Sequence, residues 1–332
     1  MPLIDTGYRA YEGDHRGVWY RRMVIASTGF RACLANPWMK RVVSMVWMAA
    51  LALTTLLFFT GQLLVADSFV FGIVDSLNPG LRALFLGIMR WLVEHPEVSV
   101  HTVYNFLFYQ FTTGTAFLSY VAIAIAIPHL ITTDLASRAL LVYSAKAVNR
   151  FDYLLGKFGI VFGLLTITWL GPVLAVWCLS NLLAPDWHFF IHSRHALLNA
   201  VSYVVPSMIV LGVLALGVSA TSTKEKSSGA TWIGLWLLGN AFIPLGAATK
   251  PWLKHFSFTF NLNQLALKSF QLRQDMDVAA EQIPIIGRML ERAGRRAAPA
   301  FMNEAEFTGA LIALAAMALI AVIVLLKRVK PE

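Results

Sequence analysis

Charge is what this chain most lacks. Only 14% of its 332 residues are Asp, Glu, Lys or Arg, against about 25% in an ordinary soluble protein. With 58% hydrophobic residues and a mean hydropathy of +0.64, that shortage excludes a soluble globular enzyme as the default reading. Cysteine is also nearly absent. Cys33 and Cys178 are too few for a disulfide framework or a CxxC metal site. There is no phosphate-binding loop: Phe158 follows Gly156-Lys157 where Ser or Thr would hold magnesium, and Phe151 stands in place of the first glycine. HExxH and GxSxG are missing, and no carboxylate falls inside an apolar run to relay protons. The expectation is a non-enzyme with no cofactor of its own.

Present instead are six uncharged apolar stretches, near 42–65, 103–127, 158–183, 196–220, 230–248 and 307–326. Each approaches or exceeds the ~20 residues that a helix needs to cross a ~30 Å hydrocarbon core. Unpaired backbone groups are intolerable in lipid, so the stretches are expected to be helices. The fold class predicted is an all-α integral membrane protein, with one six-helix transmembrane domain over 42–326 in a lipid bilayer. Residues 1–41 form a polar N-terminal segment. Within it Trp19, Met23, Phe30 and Leu34 share one helical face while Arg21, Arg22 and Arg31 lie elsewhere, the pattern of a helix lying in the membrane interface.

The net charge of +9 is read as membrane topology rather than nucleic-acid binding, because Lys and Arg mark cytoplasmic loops. Seven lie before the first stretch, and Lys327, Arg328 and Lys330 lie in the tail 327–332, so both ends are expected inside. Six crossings place 16 basic residues inside and 11 outside. The segment 249–306, expected as a long extracytoplasmic loop, holds eight of those 11, including Arg288, Arg292, Arg295 and Arg296. If the fifth stretch, interrupted by Gly239, Pro244 and Gly246, were re-entrant, a five-span topology would fit the charge rule better. Pro172, Pro206 and Pro244 are expected to bend three different spans.

Two features lie between spans. His188 and His192 are one helical turn apart with His195 next, so an extracytoplasmic metal site is one reading of the turn between the third and fourth spans. Histidines populating a polar interfacial turn are the other. Between the first two spans, 79–94 is amphipathic, with Leu81, Phe85, Ile88 and Leu92 on one face; packing over the bundle mouth is the simpler reading of it.

The segment His129 to Lys157, HLITTDLASRALLVYSAKAVNRFDYLLGK, is a compact mixed-charge knob between the second and third spans. Asp134, Arg138, Leu140, Leu141, Tyr143, Ser144, Arg150, Asp152 and Tyr153-Leu154-Leu155-Gly156-Lys157 resemble the loop pattern of permease subunits of ATP-binding cassette (ABC) transporters of the type-2 exporter family. Ala147 departs from the family's proline. The resemblance implies an N-terminal interfacial helix, six spans, and a cytoplasmic coupling helix that docks on a separate ABC ATPase subunit through Asp134, Arg138, Tyr143, Lys146, Arg150 and Asp152. It implies a homodimer or a heterodimer with a second permease, ATP and Mg held by the partner, and a bacterial plasma (inner) membrane location. A membrane anchor or assembly factor, and an extracytoplasmic metal-handling protein using His188, His192 and His195, are the alternatives.

Overall fold

The computed structural model describes residues 17–62, 78–80, 82, 86, 94–137, 139, 149–282 and 304–329. Among these there are helices and turns and no strand. The elements used below are α1 (Val18–Ala35), α2 (Pro37–Gln62), α3 (Pro96–Ala126), α4 (Thr132–Ala136), α5 (Arg150–Leu165), α6 (Gly171–Leu182), α7 (His188–Ser219), α8 (Glu225–Leu237), α9 (Ile243–Ala247), α10 (Phe258–Phe270), α11 (Leu272–Gln282) and α12 (Phe307–Arg328). A π-turn at Thr166–Leu170 joins α5 to α6, and another at Leu238–Phe242 joins α8 to α9.

Among the described residues six helices are long and apolar enough to cross a membrane: Pro37–Gln62, Pro96–Ala136, Arg150–Leu182, His188–Ser219, Glu225–Ala247 and Phe307–Arg328. Several begin earlier than their apolar stretch, because the first turn of a helix can be polar where it leaves the hydrocarbon. Their outer faces carry Met45, Met48, Ile312, Leu319 and Ile320, all well exposed. An apolar surface this extensive needs a cover, and lipid tails supply one. We refer to the end where Thr132, Arg150, Ser219 and Arg328 gather as basal, and to the opposite end as distal.

Prolines leave their mark in two spans. Pro172 and Pro244 each follow a π-turn, since a proline removes one amide donor and its ring displaces the carbonyl four residues back. For Pro172 that carbonyl belongs to Thr168, and the Ser119 hydroxyl of α3 donates to it at 3.4 Å. The neighbouring Ile167 carbonyl accepts from the Trp47 indole at 3.1 Å. The freed backbone groups are thus answered by side chains of adjacent spans, as a water-free interior requires. Indoles do the same elsewhere, Trp169 Nε1 donating to Thr112 O at 2.9 Å and Trp232 Nε1 to Tyr120 O at 3.1 Å.

The segment expected as a loop after the fifth span turns back into the bundle. Pro251–Phe256 is a 3-10 turn, the Ser257 hydroxyl caps the start of α10 by accepting from Phe260 N, and α10 runs among α3, α7 and α12. Phe258 packs edge-on against Tyr120, and Phe270 packs against Tyr109 and Tyr203. Tyr109 and Tyr120 are separated by about 16 Å along α3 at 1.5 Å per residue. The 13-residue α10 therefore lies within the body of the bundle over most of its length. Gly239 makes this possible: a Cβ there would meet Ser257 Oγ at 2.8 Å. Residues 283–303, which include the four arginines, and Leu81, Phe85, Ile88 and Leu92 lie outside the described residues.

Helix α1 packs on α5 through small residues. A Cβ on Gly156 would lie 2.8 Å from Ile25, and Gly159 and Gly163 face Ala26 and Phe30. Absent side chains let two backbones approach closely, the usual device for helix contact in lipid. The face buried against α5 is thus Arg22, Ile25, Ala26, Gly29 and Cys33. The predicted apolar stripe is split by this contact, with Phe30 against the core while Trp19 and Met23 are among the most exposed large side chains.

Candidate functional site

The basal end is held by buried polar groups drawn from the segment that links the second and third spans. Asp134, in α4, is close to two residues of α5. Its Oδ2 accepts from the Tyr153 hydroxyl at 2.7 Å and from Lys157 Nζ at 2.7 Å. Tyr153 and Lys157 are four apart on one helical face, which is why both reach one carboxylate. The Lys157 side chain is 8% exposed and that of Asp134 15%, so neither charge is solvated in the ordinary way. One residue before Tyr153, Asp152 points to the other side of α5. It accepts from Arg22 Nε at 2.7 Å, with Arg22 Nη2 at 2.5 Å, and so pins α1.

Arg150 takes a third direction. Its guanidinium donates to the carbonyls of Leu325, at 3.1 Å, and Leu326. These carbonyls fall in the last turn of α12, where Leu325 O also accepts from Val329 N at 2.9 Å and a cation is favoured by the helix dipole. Ser219, at the end of α7, completes the clamp. Its hydroxyl donates to Ile127 O at 2.8 Å and accepts from Ile131 N at 2.8 Å and Thr132 N at 3.1 Å, while Thr132 Oγ1 donates back to Ser219 O at 2.7 Å. The turn that leaves α3 is thereby riveted to α7, with every group buried.

Of the six residues singled out for docking, Asp134, Arg150 and Asp152 are therefore engaged within the chain. Arg138, Tyr143 and Lys146 lie outside the described residues. The motif Tyr153-Leu154-Leu155-Gly156-Lys157 has a structural use here. Tyr153 and Lys157 hold α4, Gly156 admits α1, and Leu155 is half exposed. Burial also pushes the Cys33 thiol of α1 up to about 11, against the opposing pull of Lys157.

At the distal end, His188, His192 and His195 do not converge. His188 Nδ1 pairs with Asp186 at 2.6 Å, which holds that exposed carboxyl below its ordinary pKa through hydrogen bonding. The rings of His188 and His192 are 6.4 Å apart. Among the described residues no group of three or more His, Cys, Asp or Glu is placed to hold a metal ion. His195 instead stands 5.2 Å, ring to ring, from His101 of α3. His101 in turn faces Asp275 of α11. Sequence reasoning missed this grouping. The one signal was His101, placed just before the uncharged 103–127 stretch; nothing marked Asp275 as its neighbour. No protein-family model matches this chain, and no curated protein does.

Proposed function

We propose that the chain is the permease subunit of an ABC exporter, moving a substrate across the membrane while a separate subunit hydrolyses ATP. The observation that carries the reading is the clamp on α4. A short helix at the base of the second span is tied by Asp134 to the third and by Thr132 to the fourth. A push or pull applied beside it would reach three spans at once, which is what converting a partner's motion into rocking of a bundle demands. The resemblance of 134–157 to a coupling loop and the six apolar helices support the same reading. In it the basal end is cytoplasmic, in a bacterial inner membrane, α1 lies at the interface, and two permease halves assemble.

Because Asp134, Arg150 and Asp152 are spent on internal bonds, docking on the ATPase falls to Arg138, Tyr143 and Lys146, an aromatic anchor between two cations. The full chain, tagged and solubilised gently from its native membrane, should bring down a subunit bearing a nucleotide-binding loop. Arg138→Glu with Lys146→Glu should lose that subunit while leaving the melting temperature in place. Capture of no ATPase, or capture untouched by the double change, would overturn the reading.

A further inference from the structure

The geometry points to a binding pocket for a small primary amine at the distal end of the bundle, built by the first turns of α3, α7 and α11. The cavity is about 430 Å³, within the range of small-molecule sites. Glu97 and Arg194 are exposed at its rim; His101, Thr102, His192, His195 and Asp275 complete its polar lining. This inference stands independently of the exporter reading.

Asp275 is held in place from below. Asn105 Nδ2 donates to Asp275 Oδ2 at 2.5 Å and to Phe270 O at 2.7 Å, and Asn105 Oδ1 accepts from Asn199 Nδ2 at 3.1 Å. Three helices thus fix the direction of one carboxylate. Its second oxygen, Oδ1, faces His101 Nδ1 at 3.6 Å, beyond the length of a hydrogen bond. That oxygen and the His101 and His195 rings, which pack against each other with centroids 5.2 Å apart, line one cavity.

An ammonium group entering the cavity suits the Asp275 carboxylate because it carries three donors and no acceptor. The fixed charges agree. The carboxylates Glu97 and Asp275 outnumber Arg194 in the lining, and Asp275 is the least exposed of the three, its side chain 15% exposed. Burial pushes the Asp275 carboxyl above its ordinary pKa, opposed by the Asn105 amide and by His101 and His195. A carboxylate kept at such a cost is stabilised by any cation that enters. Arg194 at the rim adds a place for an acidic group on the same ligand, so zwitterionic amines are favoured over simple ones.

The test is calorimetric titration of the full-length protein, in maltoside micelles near neutral pH, with phosphoethanolamine and with 2-hydroxyethyl phosphate, its analogue lacking the ammonium. One saturable site is expected for the amine. The hydroxyl analogue and Asp275→Asn should each weaken binding about tenfold or more, and Arg194→Gln about threefold, as loss of a buried and of a rim charge contact predict. His101→Phe, which leaves the Asn105 bonds intact, should also weaken it, and serves if Asp275→Asn does not fold. Absence of saturable binding, equal binding of the two probes, or unchanged affinity in folded Asp275→Asn or His101→Phe would overturn the assignment. Repeating the titration in phosphatidylethanolamine and phosphatidylglycerol nanodiscs identifies the source. Competition in the former alone supports a lipid headgroup as occupant, and equal affinity in both supports a soluble amine.

Discussion

Lys157 Nζ donates to Asp134 Oδ2 at 2.7 Å, so the basic residue that ends the Tyr-Leu-Leu-Gly-Lys motif and the acidic residue that opens the preceding loop close on each other. Both side chains are largely buried. Removing one partner from such a pair leaves an uncompensated charge, at a cost of about 3–5 kcal/mol, whereas replacing both with apolar residues can be nearly neutral. Lys157→Met is therefore expected to lower the melting temperature of the purified chain sharply. Asp134→Leu with Lys157→Met should recover most of the loss. A double-mutant cycle on thermal melting in micelles reads the coupling, and additive single effects would contradict a direct pair.

Ser219 satisfies more backbone than any other described side chain at the basal end, with Ile127 O, Ile131 N and Thr132 N all within 3.1 Å of its hydroxyl. Ser219→Ala should cost about 1–3 kcal/mol, the penalty for buried amides left without acceptors. Ser219→Cys, which keeps a weak acceptor, should cost less. Melting of the two variants checks the order; an alanine variant as stable as the parent would mean that the rivet carries no load.

The spans were legible because segregation of charge is imposed by lipid on every residue of a stretch, so 139 uncharged positions speak together. Pairings are not periodic and were not legible. Asp152 and Arg22 are 130 positions apart, and nothing in either neighbourhood announces the other. The loop motif was visible as a pattern, yet its use as an internal clamp emerged only when α1 was seen against Gly156. For α10, a length short of a crossing and the polar residues Asn261, Asn263 and Gln264 concealed a helix that packs inside. Two of those polar residues are buried because they have specific partners: Asn261 donates to His255 O at 2.7 Å and Gln264 accepts from Glu306 N at 2.8 Å.

Cys33 reports on the seating of α1. It is 1% exposed, and burial pushes its thiol up to about 11. The thiolate is the reactive form, so in a Cys178→Ser background Cys33 should resist maleimide near neutral pH until the protein is denatured. Gly156→Leu drives a side chain into Ile25, 2.8 Å from where its Cβ would stand, and should raise the labelling rate by about tenfold or more as α1 lifts and burial is lost. Fast labelling of the parent, or slow labelling of Gly156→Leu with the fold intact, would contradict the packing of α1 on α5.

Asp275 should make the protein less stable at neutral pH than it need be. Its carboxyl has a raised pKa in the folded chain, first through burial, so the folded state holds that proton more tightly than the unfolded state does. By linkage the group favours folding at pH values below the ordinary carboxylate range, and that contribution is lost as pH rises through the raised value. Asp275→Asn keeps an oxygen to accept from Asn105 and carries no charge. The variant should therefore melt higher than the parent at neutral pH. The difference should vanish as the solution is acidified below about pH 4, where the parent's carboxyl is itself protonated. Melting curves of both proteins across that range decide it, and a variant less stable than the parent at neutral pH would show that the carboxylate serves the fold. A variant that gains stability while losing the amine would place Asp275 among residues kept for binding at the expense of folding.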